Sequence, residues 1–112
     1  MDNKKDDRYY IKEALTDIDK ILSYSKRADF SDIEKDGEAM DAINFRLNML
    51  RHHIEGLSEE FVASHSSVAF KKIVVFRDAV THDYEHVNFS SYQDFIKKDL
   101  PKIRESLAKF LD

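Results

Sequence analysis

The chain predicts an all-α domain, an up-down helical bundle of four main helices plus a short connector helix. Two glycines and one proline among 112 residues leave too little punctuation for many short strands. Four segments carry apolar residues at steps of three and four, the period of a helix buried on one face. A chain of this length suits one core, so residues 1–112 are expected to form a single domain, with residues 1–8 a flexible N-terminus.

From Tyr9 to about Lys26, Ile11, Ala14, Ile18 and Ile21 mark the first helix, and Leu15 and Leu22 widen its stripe. Ser31 followed by Glu34 is a capping-box pattern with only Phe30 and Ile33 to bury, which predicts a connector of about one helical turn. The second helix is the clearest, because Met40, Ile43, Leu47, Leu50, Ile54 and Leu57 keep the period over about five turns. Ala42, Phe45 and Met49 form a second apolar line on a roughly opposite face, a pattern that suits association with another helix.

Gly56 and Ser58 mark a break, and Ser58 to Ser67 reads as too polar to bury much. Residues 69–80 are nearly apolar all round, and the spacing of Ala69, Ile73, Phe76 and Val80 predicts a buried helix rather than a strand. The last helix runs from about Ser91 to Leu111 with Tyr92, Ile96, Leu100, Ile103, Leu107 and Leu111 inward. Pro101 predicts a kink or a fresh helix start near Leu100. Tyr9, Tyr10, Tyr24 and Tyr92 are expected at core edges with their hydroxyls wet.

The absence of cysteine excludes disulfides, thiolate metal sites and thiol catalysis. The polar start, Met1 to Asp7, precedes no apolar leader, and no run approaches the roughly 18 residues of a membrane span, so the protein is expected to be cytoplasmic with no membrane partner. A net charge of −4 argues against a surface that grips nucleic acid throughout, and no DNA partner is expected. Residues 70–112 hold 8 Lys/Arg against 7 Asp/Glu, whereas residues 1–69 hold 10 against 15. Contact with RNA would therefore be local and C-terminal, with Lys71 and Lys72 the best candidates for its backbone. Lys97, Lys98, Lys102 and Arg104 stand among Asp94, Asp99 and Glu105 and read as a solvated face.

Chemistry is suggested at one place, Arg77-Asp-Ala-Val-Thr-His82-Asp-Tyr84, or Arg-x-x-x-x-His-x-Tyr. Arginine offers a permanent planar cation for phosphate, and histidine moves protons near neutrality. His82 would act as general base or acid on a ribose 2′-hydroxyl or the leaving 5′-oxygen, Arg77 would hold the phosphate, and a cyclic phosphate would result. Five residues rotate His82 by about 140° from Arg77, so one phosphate meets both only if the helix loosens or a second subunit completes the site. The competing reading is a surface arginine and a histidine capping a helix C-terminus. His82, Glu85 and His86 resemble half of a zinc site without a third ligand nearby, and His52, His53 and His65 meet only if the fold brings them together. No metal or cofactor is expected, and one of His52 and His53 should face solvent while the other lines the second helix's interface.

With Arg77, His82 and Tyr84, the segments Asp41-Ala42-Ile43, Arg46-Leu47 and Lys97-Lys98-Asp99-Leu100-Pro101-Lys102-Ile103 resemble the HEPN superfamily, and within it the HepT-like toxin branch, from about Tyr9 to Leu111. The resemblance implies a metal-independent endoribonuclease toxin of a type VII-like toxin–antitoxin pair, acting on tRNA or mRNA. It implies a homodimer whose motif helices line a shared cleft, with Arg77 and His82 catalytic and Asp78 supporting the motif. It also implies a minimal nucleotidyltransferase antitoxin that silences the toxin by AMPylating Tyr84. Two positions depart from the branch: Asp78 stands where asparagine is usual, and Arg51-His52-His53 where Gly-Glu-Ala is. The alternative is a non-catalytic helical partner, or nucleotide-binding subunit, of a nucleotidyltransferase.

Overall fold

The computed structural model describes residues 5–27, 37–82 and 89–111, and every regular element among them is helical. Asp6 opens α1 (Asp7–Arg27) as a side-chain cap, its Oδ1 accepting from the Tyr9 amide at 2.9 Å. Antiparallel to it runs α2 (Gly37–Glu55), and this pairing is the most extensive among the described residues. Ile11, Ala14, Ile18 and Ile21 of α1 and Met40, Ile43, Leu47, Leu50 and Ile54 of α2 are all buried, as their spacing requires. The expected connector at Ser31 to Glu34 and residues 1–4 of the N-terminus lie outside the described residues.

The polar stretch after Gly56 does more than the sequence suggests. It folds a short helix, α3 (Glu59–Ser64), which buries Phe61. Ser58 makes this possible: its Oγ accepts from the Phe61 amide at 3.1 Å while donating to Asp7 Oδ2 at 2.8 Å, and its own amide donates to Asp7 Oδ1 at 2.8 Å. One serine thus caps α3 and ties it to the first residue of α1, so a single aromatic anchor suffices. Gly56 lets the Tyr10 ring sit close beside it: a Cβ there would lie 2.3 Å from Cε1 of Tyr10, so a larger residue needs that ring to shift.

The fourth helix, α4 (Phe70–His82), packs mainly on α2. It buries Ile73 and Val80, but Val75 is 57% exposed and Ala79 is exposed. The expectation of burial on nearly all sides is corrected here: neighbours cover only part of α4's circumference, leaving an apolar strip open. Next comes one long rod in four parts: α5 (Phe89–Asp94), a π-helical turn (Phe95–Asp99), α6 (Leu100–Ala108) and a closing 3₁₀ turn (Lys109–Leu111). The Leu100 amide reaches Phe95 O, and Pro101 stands in the first turn of α6, where its missing donor costs least. The irregularity expected at Pro101 is therefore a widened turn followed by a restart.

Tyr92 departs from its expected edge position. It is fully buried, and its hydroxyl donates to Asn44 Oδ1 of α2 at 3.2 Å instead of meeting water. Arg104 of α6 pairs with Asp19 of α1 through Nε to Oδ1 at 2.5 Å and Nη2 to Oδ2 at 3.3 Å, and this bond raises the guanidinium pKa. Among the described residues no helix is long and apolar enough to cross a membrane.

Candidate active site

A polar stripe on α2 organises the site. Asn44, Asn48, Arg51 and Glu55 recur at steps of four, three and four, so they line one face of the helix. Asn44 holds Tyr92, Asn48 holds Arg77, and Arg51 holds Asp78. Arg77 lies on α4 with its side chain 24% exposed, anchored yet open to solvent on one side. Its Nε donates to Asn48 Oδ1 at 2.6 Å and its Nη1 to Asp78 Oδ1 at 3.0 Å. That same oxygen of Asp78 accepts from Nη1 of Arg51, whose Nε reaches Glu55 Oε1 at 2.8 Å.

Two guanidiniums thus share one carboxylate oxygen at a half-exposed position. A phosphodiester oxygen has the same charge and accepts the same donors, so it can replace Asp78 between them. The arrangement is an anion site closed by an internal anion. Asn48 was not singled out from sequence, and Arg51 stood out only as part of the Arg51-His52-His53 departure; their signal is the polar stripe, which becomes meaningful only once α4 is known to lie against it.

His82 is the last residue of α4, and the helix stays regular up to it. Positions 77 and 82 are therefore rotated by about 140° about the axis. Tyr84, Glu85 and His86 lie outside the described residues. Lys71 and Lys72 are exposed in the first turn of α4, and Lys72 Nζ meets Asp99 Oδ1 at 3.3 Å. They line a groove of about 540 Å³ between α4 and the α5–π segment, on the side of α4 away from Arg77. On the last helix Lys98 pairs with Asp94 at 3.5 Å, as a solvated face would.

Of the other described histidines, His53 and His65 are engaged in packing. His52 is exposed; His53 is buried, with Nδ1 2.5 Å from Oδ2 of Asp17, whose Oδ1 accepts from Arg46 Nη1 at 3.1 Å. Asp17 is 1% exposed. As expected, one histidine of the pair faces solvent and the other, His53, lines the α2 interface, whereas its partner Asp17, which interrupts the α1 stripe between Ala14 and Ile21, was passed over. His65 stacks on Phe61 at 4.2 Å and meets Phe110 edge-on at 4.1 Å. Among the described residues no group of three or more histidine, aspartate or glutamate side chains is arranged to hold a metal ion.

A family model described as "Ribonuclease HepT-like" matches residues 11–110. A protein of Methanocaldococcus jannaschii named "Gamma-glutamylcyclotransferase and putative RNase" is 26% identical over 109 residues, and the match takes in 97% of this chain but 49% of that protein. The chain thus spans about half the length of that relative. A protein of Caldanaerobacter subterraneus subsp. tengcongensis named "Putative RNase" is 27% identical over 107 residues, covering 96% of each. A second M. jannaschii "Putative RNase" is 24% identical over 98 residues, 88% of this chain and 81% of that one. No solved structure matches the chain significantly.

Proposed function

This chain belongs to the ribonuclease HepT-like family, and from that premise we propose that it is a metal-independent endoribonuclease. The observation that carries the reading is Arg77, fixed by Asn48 and Asp78 at a solvent-open position beside a second guanidinium. Arg77 binds the scissile phosphate in place of Asp78 and stabilises charge as it develops. His82 removes the 2′-hydroxyl proton or supplies the proton taken up by the leaving 5′-oxygen. The 2′-oxygen attacks phosphorus, the 5′-oxygen bond breaks, and the products are a 2′,3′-cyclic phosphate and a 5′-hydroxyl end.

Regular helix through His82 keeps positions 77 and 82 on different faces. This supports a cleft shared by two copies, in which one copy's arginine works with the other's histidine. Phe45, 59% exposed on the far line of α2, supplies apolar surface for such a homodimer. In cells the protein acts as the toxin of a toxin–antitoxin pair on tRNA or mRNA. A minimal nucleotidyltransferase antitoxin transfers AMP from ATP to the Tyr84 phenol, which loses its proton as the α–β phosphoanhydride bond breaks and pyrophosphate leaves, and the added phosphate beside Arg77 occupies its anion site and repels RNA.

A second reading, a non-catalytic partner or nucleotide-binding subunit of a nucleotidyltransferase, is favoured by the same carboxylate, since Asp78 already fills Arg77's anion site. Purified, unmodified protein incubated with total tRNA and a structured mRNA in EDTA separates the two, with Arg77→Ala and His82→Ala alongside. Cleavage by the parent and by neither variant supports the enzyme. Intact RNA in all three reactions, with Tyr84 shown by mass spectrometry to be free of AMP, supports the binding subunit.

A further inference from the structure

The groove between α4 and the α5–π segment combines three features on one exposed surface. Its floor is aromatic: the half-buried Phe76 ring lies parallel to buried Phe95, 4.3 Å between centroids and 8° between planes. Its α4 wall is open and apolar, formed by Val75 and Ala79. Its rim carries cations, Lys71 and Lys72, on one side and carboxylates, Asp94 and Asp99, on the other. The volume of about 540 Å³ falls within the roughly 300–1,000 Å³ of small-molecule sites.

We propose that this groove binds an unpaired nucleobase of the RNA strand, with the adjoining phosphate on Lys71. The inference rests on the ribonuclease reading and deepens it by naming what the protein holds beside the cut. An extruded base needs an apolar surface to stack against, a cation for its phosphate and partners for its polar edge, which is how single-stranded RNA is held in general. The ion pairs at the rim, Lys72 with Asp99 at 3.3 Å and Lys98 with Asp94 at 3.5 Å, are exposed and so exchange readily for ligand contacts.

The carboxylates set the preference. They accept and do not donate, so the base edge that meets them must carry donors, as the amino groups of adenine, cytosine and guanine do. Uracil presents a single N–H between two carbonyl oxygens, which the carboxylates repel. Placement connects the groove to the candidate chemistry: Val75 lies seven residues before His82, nearly the same angular position on α4 two turns earlier. A strand running along that line passes from the groove to the end of the helix that carries His82.

The test uses 2′-O-methyl hexanucleotides of adenine and of uracil, which cannot be cleaved by 2′-oxygen attack, so binding is read whether or not the chain cuts RNA. Fluorescence anisotropy should show the adenine hexamer bound at least about threefold more tightly than the uracil hexamer, and amide shifts in a 15N-labelled sample should centre on Val75, Ser91 and Phe95. Val75→Asp, at an exposed position, should weaken adenine binding by about tenfold with an unchanged melting curve, and Lys71→Glu by about threefold. Unaltered affinity in a folded Val75→Asp variant overturns the proposal, as do amide shifts confined to other surfaces. A sedimentation coefficient that falls in Val75→Asp without loss of hexamer binding also overturns it, because a second copy of the chain then occupies the groove. RNA cleavage without hexamer binding here leaves the enzyme reading standing and removes this one.

Discussion

Arg77 and Asn48, 29 residues apart in sequence, are joined by a 2.6 Å hydrogen bond from Nε to Oδ1 that fixes the guanidinium of α4 against α2. A side chain with four rotatable bonds is thereby oriented before any phosphate arrives, which lowers the ordering cost of binding one. Asn48→Ala should reduce kcat on RNA by about tenfold, the value of one hydrogen bond to a charged group, with little change in melting temperature. Asn48→Asp keeps an acceptor but adds a second carboxylate against Arg77, so it should restore the orientation while binding RNA less tightly than the parent. Equal activity in Asn48→Ala and the parent removes the positioning role.

Asp78 serves two arginines at once, so removing its charge should free both. Asp78→Asn is expected to bind RNA several-fold more tightly at low salt and to show a steeper loss of affinity with salt, as two cations become available to phosphate. Arg51→Ala should do the reverse, weakening binding and reducing the salt slope by about one. Titrations of the three proteins at several salt concentrations decide between them.

The buried Asp17–His53 pair and its half-buried neighbour Arg46 predict a stability effect without a direct catalytic one. Asp17 lies between Arg46 and His53, and Asp17→Ala leaves both without their acceptor in the α1–α2 interface. A loss of about 3–5 kcal/mol is expected in urea unfolding. Arg104→Ala on the surface should cost less than about 1 kcal/mol, because its partner Asp19 is half exposed and water replaces it. A similar cost for the two variants contradicts the ranking.

Gly56 predicts a steric effect. Gly56→Ala places a methyl group against the Tyr10 ring and should destabilise by about 1–3 kcal/mol. Because the conflict is with one ring, Tyr10→Ala in the same chain should make the double variant more stable than the sum of the two single effects. Additivity in denaturant melts places the cost elsewhere.

Much of the scaffold was legible because helical burial repeats: Ile11 to Ile21 and Met40 to Leu57 announce their faces residue by residue. Two elements were less legible for a different reason. α3 depends on a bond between Ser58 and Asp7, 51 residues apart, and no local pattern reports that partner. Tyr92 was expected with a wet hydroxyl because Asn44, its acceptor, lies on another helix. At the candidate site the motif drew attention to Arg77 and Asp78. What restrains them, Asn48 and Arg51, is supplied by tertiary packing of α4 on α2 and is written in neither segment alone.

The widened turn at Phe95–Asp99 has a bearing on how this chain tolerates change. A π-turn accommodates one residue more than an α-turn of the same path, and the helix on either side keeps its facing. Tyr92 and Leu107 are both fully buried on either side of it. Shortening the turn by one residue would leave those two anchors facing inward, yet it would bring the Pro101 ring against an ordinary helical carbonyl and displace Phe95 and Asp99 from the groove wall. The proline and the surplus residue are therefore a matched pair. A lineage could discard both together and keep its bundle, while surrendering the shape of the surface beside α4.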